Sequence, residues 1–115
     1  MSSAQPDGRI DYVEFGTRDL TASKRFFEQA FGWRFTDYGP DYTSFQDGRL
    51  AGGFRADAPP GSTPLVVLYA ADLDATRRTV EAAGARVFNL HSFPGGRRFH
   101  FTDPGGNELA VWSEK

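Results

Sequence analysis

The chain has 115 residues, enough for one core, and its 13 Lys and Arg against 15 Asp and Glu leave a formal net charge of −2 at pH 7. That balance argues against nucleic acid as a partner, since the basic pairs Arg77-Arg78 and Arg97-Arg98 are too short to track phosphates. No cysteine is present, which excludes disulfides, thiolate metal sites and cysteine nucleophiles.

The opening "MSSAQPDGR" has neither the charged nor the apolar region of a secretion signal, and no apolar run is long enough to cross a bilayer. The expectation is a cytoplasmic protein with no membrane partner and a flexible tail over residues 1–9. In "IDYVEFGT", Val13 and Phe15 point one way while Tyr12 and Glu14 point the other, the period of a half-buried strand. A helix follows in "RDLTASKRFFEQAFGW". Asp19 or Thr21 can cap it, Ala22, Phe26 and Ala30 recur at spacing four as do Phe27 and Phe31, and Gly32 suits a left-handed C-terminus.

Three strand-like pieces come next, "WRFTDYG", "YTSFQDG" and "LAGGFR", divided by Gly, Pro and Asp. The proline-rich "ADAPPGSTP", residues 56–64, reads as a linker. Beyond it the pattern repeats. Val66 and Leu68 stand where Val13 and Phe15 stood, and Asp72-Leu73 where Asp19-Leu20 stood, an offset of 72 − 19 = 53 residues. Gly84 falls near the place of Gly32, and "ARVFNLHS", "RRFHFTD" and "ELAVWSE" give three more strands.

The expected fold is therefore α+β, two paired βαβββ modules over residues 10–55 and 65–113 within one domain spanning 10–113. A helix covers only one face of each sheet, so the curled mixed sheets are expected to enclose a cavity. "DPGGN", residues 103–107, reads as a turn between the last two strands: Asp103 accepts backbone N–H bonds, Pro104 fixes φ, and Gly105 and Gly106 permit positive φ.

The first strand and helix, "DGRLAGGF", and above all "FPGGRRFHFTDPGGNELAVWS" resemble the vicinal oxygen chelate superfamily, also called the glyoxalase, bleomycin-resistance and dioxygenase family. The resemblance implies a homodimer and, in the enzymes, a divalent metal held by the first and last strand of each module. The matching positions here are Tyr12, a residue between Gly52 and Phe54, Leu65 or its neighbour Val66, and Ala110. None offers an imidazole or carboxylate, so no metal and no other cofactor is expected.

Glu14 shares a strand face with Tyr12, opposite the apolar Val13 and Phe15, and so points toward the expected cavity. A carboxylate there is poised for proton transfer or for holding a cationic ligand group, or else is a salt-bridged strand residue. Trp33, Phe45, Phe99 and Trp112 fit either a flat-ligand pocket or the core. If Phe99 pairs with Ala110 and Phe101 with Glu108, His100 faces the helix and Phe99 the cavity. His91 stands near a turn at the rim.

The function so implied is binding of a small organic molecule without a metal. Tyr12 and Glu14 supply polar contacts, Phe99 and Trp112 supply apolar walls, and His91 stands at the rim. No catalytic residue is assigned. The alternative is a metal-dependent lyase, isomerase or dioxygenase of the same superfamily with shifted ligands drawn from Glu14, His91, His100 and Glu108.

Overall fold

The structure, a computed structural model, describes residues 7–58 and 64–115. It is α+β, with the order β1 (Ile10–Gly16), α1 (Leu20–Phe31), β2 (Arg34–Asp37), β3 (Tyr42–Gln46), β4 (Ala51–Arg55), β5 (Leu65–Tyr69), α2 (Leu73–Ala82), β6 (Val87–Phe93), β7 (Gly96–Thr102) and β8 (Glu108–Ser113). That is strand, helix and three strands, twice. By contacts the chain forms two compact units, Tyr12–Leu65, and Val66–Lys115 with the segment ending at Asp11. Among the described residues no helix is long and apolar enough to cross a membrane.

In module one the strands run β2-β3-β4-β1, with β1 parallel to β4 and the other pairs antiparallel. Asp19 starts α1 by accepting the Ala22 N–H at 3.0 Å, and Gly32, at φ 71, ends it in the left-handed conformation that favours glycine. The helix-side core is aromatic. Phe27 stacks on Trp33 at 4.4 Å between ring centroids and Trp33 on Phe45 at 4.5 Å, while Phe54 packs between Phe15 and Phe27. Phe45 is a core residue, and the partly buried Trp33 packs against it.

Module two runs β5-β8-β7-β6, with β5 parallel to β8. Asp72 starts α2 by accepting the Ala75 N–H at 3.0 Å. Ala70, Leu73, Phe99 and Val111 form the core under α2, with Leu68, Val80, Val87 and Phe101 packed around it. Residues 1–6 of the expected tail and 59–63 of the expected linker lie outside the described residues. Within residues 7–9, Gly8 N–H donates to Tyr69 O at 2.9 Å, Arg9 O accepts from Tyr69 N–H at 3.2 Å, and Asp7 accepts the Ala71 N–H at 2.7 Å. These bonds fasten the segment to the end of β5.

The "DPGGN" segment is the β7–β8 turn. Asp103 N–H donates to Asn107 O at 2.9 Å, and the Asp103 carboxylate accepts the Asn107 N–H at 2.8 Å. Hydrogen bonds from Asn107, first its side chain and then its backbone, hold the Asp103 carboxyl below its usual range. Because Asp103 and Asn107 close on each other as the loop's end pair, Thr102 pairs with Glu108, Phe101 with Leu109, His100 with Ala110 and Phe99 with Val111. The register is thus one residue away from the Phe99–Ala110 and Phe101–Glu108 pairing expected from sequence. Since strand side chains alternate, one residue exchanges the two faces of β7 relative to β8.

Candidate functional site

Val13 and Phe15 lie on the helix side of β1, which sends Tyr12 and Glu14 to the opposite face. Glu14 pairs with Gly53 of β4, and Gly53 with Ser44 of β3. On the same face Tyr42 of β3 pairs with Arg55 of β4. Glu14 is only 5% exposed. The Tyr42 hydroxyl donates to Glu14 Oε2 at 3.1 Å and lies 2.5 Å from the Tyr12 hydroxyl. With its proton committed to Glu14, Tyr42 accepts from Tyr12, and a chain Tyr12→Tyr42→Glu14 results. Arg55 Nη1 stands 3.7 Å from Glu14 Oε1 while its Nε and Nη2 hold Asp57.

These contacts set the electrostatics. Burial, then the Glu14 charge and Tyr12, push the Tyr42 hydroxyl well above the normal phenol range, so it stays a donor. Hydrogen bonding to Asp57, with Glu14 adding a smaller pull, raises the Arg55 guanidinium and keeps it cationic. The sequence reading missed Tyr42 and Arg55. Alternation in "YTSFQ" carried a signal for Tyr42: with Thr43 and Phe45 buried toward the helix, Tyr42 must take Glu14's face.

In module two the shifted register decides the remaining candidates. Phe99 has no exposure and packs with Leu73 of α2, so it is a core side chain and not a wall of the polar face. His100, expected toward the helix, lies instead on the face of Ala110 and Trp112. Trp112 meets Tyr69 edge-on at 5.4 Å and donates its indole N–H to Asp11 Oδ2 at 2.8 Å. His91 reaches the same face through a bulge, since Phe88 pairs with His100 and His91 with Arg98 while Asn89 between them takes φ 55. Its Nδ1 donates to Asn89 O at 2.8 Å. His100 Nδ1 lies 2.7 Å from Glu108 Oε2.

The model of the Glyoxalase/Bleomycin resistance protein/Dioxygenase superfamily matches residues 9–111. The chain belongs to this superfamily. Solved members share its fold. Methylmalonyl-CoA epimerase from Mycobacterium tuberculosis is 14% identical with a TM-score of 0.74, covering 98% of this chain and 92% of that one. A glyoxalase/bleomycin resistance protein/dioxygenase superfamily member from Vibrio splendidus 12B01 is 17% identical with a TM-score of 0.69, covering 91% and 97%. The Mn(II)-bound glyoxalase from Novosphingobium aromaticivorans is 29% identical with a TM-score of 0.67, but its match covers 91% of this chain and only 38% of that one. No curated protein matches the chain.

The Novosphingobium relative is Mn(II)-bound, and the residues here do not fit such an ion. Leu65 and Ala110 are buried apolar side chains, and Tyr12 is engaged with Tyr42. Gly53 offers no donor, and the space above it is already filled: a Cβ built there would stand closer than 3.0 Å to the Tyr42 ring and to both hydroxyls. Among the described residues no three His, Cys, Asp or Glu side chains group so as to hold an ion.

Proposed function

We propose that this superfamily member binds a small organic molecule without a metal, and that Glu14 is its main polar anchor. The reading is supported by the chain Tyr12→Tyr42→Glu14 packed over Gly53, which leaves Glu14 as a buried carboxylate on the face of β1 opposite the helix. Tyr42 donates to that carboxylate and Arg55 stands 3.7 Å from it, and Glu14 can accept a hydrogen bond from an ammonium, amide or hydroxyl group of a ligand. Trp112, fixed by Asp11, and the half-buried His91 offer flat apolar surface within their own module.

A thermal-shift screen of small molecules against metal-free protein supplies the ligand, and Glu14→Gln supplies the test, since it keeps the shape and removes the charge. Loss of a hydrogen bond to a charged acceptor should weaken binding about 10- to 100-fold. Equal binding by Glu14→Gln overturns the assignment.

The protein is also proposed to be a homodimer, supported by the exposed Phe26 and Phe31 on α1. Light scattering on the eluting peak should give twice the chain mass, and a monomer at micromolar concentration refutes it.

A further inference from the structure

The sheet of module two carries a second polar pair, separate from Glu14 and independent of its proposed role. His100 stands in the middle of β7, opposite Ala110 of β8 and Phe88 of β6, and is 4% exposed. Its Nδ1 lies 2.7 Å from Glu108 Oε2. A carboxylate accepts only, so Nδ1 carries the proton and a neutral ring presents Nε2 as a bare lone pair. That Nε2 is buried and has no hydrogen-bond partner. Burial holds the imidazole below its usual range, opposed by the bond to Glu108 and reinforced by the nearby charge of Arg98, so the lone pair is available near neutral pH. A buried acceptor left open in this way is uncommon in a folded protein and calls for a donor.

The surroundings limit what that donor can be. The rings of Phe88 and His91 lie 5.8 Å and 6.1 Å from the His100 ring, His91 continues to Phe93 at 6.5 Å, and Phe93 to Trp112 at 6.3 Å. Directly across β8 stands only the methyl of Ala110. Flat rings on one side and a small side chain on the other favour a planar ligand, and the lone pair requires that it bring a hydrogen. Phe88 and His91 belong to β6, the outermost strand of this sheet.

We propose that His100 Nε2 receives the acidic hydroxyl of a planar aromatic ligand, a phenol or aromatic enol, with Glu108 fixing the imidazole tautomer. When the proton moves, the ligand O–H bond breaks and its electron pair stays on oxygen as a phenolate. An Nε2–H bond forms, and Glu108 stands against the resulting imidazolium. No other reactant is needed.

The probe is 4-nitrophenol, whose absorbance reports whether its hydroxyl has given up the proton. The wild-type protein should bind it with a displaced phenol band that marks its hydroxyl bonded to Nε2, and His100→Phe, which keeps a ring but removes the lone pair, should bind about tenfold more weakly and without that shift. Unchanged affinity in His100→Phe, or no binding by the wild type, overturns the proposal. The chain has two histidines, so long-range 15N spectra resolve each ring. Nε2 of His100 should be unprotonated in the free protein, and a protonated Nε2 also overturns it. If His100→Phe does not fold, Glu108→Ala at a half-exposed position replaces it: the ring should shift toward the Nε2–H tautomer and 4-nitrophenol binding should weaken. An unchanged tautomer and affinity in that variant count against the proposal.

Discussion

Gly53→Ala is the smallest change that reaches the phenol chain. The added methyl would stand closer than 3.0 Å to Tyr42 Oη and Cζ and 2.8 Å from Tyr12 Oη. Turning a hydroxyl cannot relieve a clash with Cζ, so the Tyr42 ring has to move, and its bond to the buried Glu14 goes with it. Overpacking of this kind costs ~1–3 kcal/mol. Stripping a hydrogen bond from a buried acceptor costs a further ~1–3 kcal/mol. The gain from a stiffer unfolded chain returns only ~0.5–1 kcal/mol, leaving a net loss of roughly 1–5 kcal/mol. In a domain of about this size that lowers Tm by roughly 4–20 °C. Scanning calorimetry with urea unfolding measures it. In a Tyr42→Ala background the same methyl should cost less than about 1 kcal/mol, and the difference between backgrounds is the coupling. A Gly53→Ala protein within about 0.5 kcal/mol of wild type would refute the packing of Tyr42 over Gly53.

Phe99→Ala should lower stability by ~3–5 kcal/mol in urea unfolding, as expected for a core ring under α2; a loss of less than ~1 kcal/mol would return Phe99 to the open face. Trp112→Phe keeps the ring system partly and removes the donor to Asp11, and should cost about 1 kcal/mol with a change in near-ultraviolet circular dichroism. For His100 the folded pKa lies below the unfolded value of 6.5, so the unfolded chain binds the extra proton first. Stability is therefore full above the unfolded value and falls as pH drops through and below it. Between about pH 8 and pH 5.5 the urea midpoint of wild type should fall further than that of His100→Gln, and parallel curves would show that His100 is not the group responsible.

The repeat of strand, helix and three strands was legible because two aspartate caps and alternating apolar positions recur 53 residues apart. Glu14's face was legible for the same reason: Val13 and Phe15 leave it no other side. Phe99 and His100 were not, since their faces depend on how the turn closes. Asp103 and Asn107 bond to each other by backbone and side chain, a pairing that "DPGGN" permits without dictating. His91 needed the bulge at Asn89, and Arg55 needed the β3–β4 register; both are long-range choices that local sequence does not encode.

Metal-independent recognition is tested most directly by titrating Mn(II), Zn(II) and Ni(II) into chelator-treated wild-type protein in a calorimeter. With Tyr12, Gly53, Leu65 and Ala110 at the positions that the resemblance assigns to ligands, no saturable uptake should occur at micromolar concentration. One equivalent bound per chain, and lost in Glu14→Gln, would contradict it.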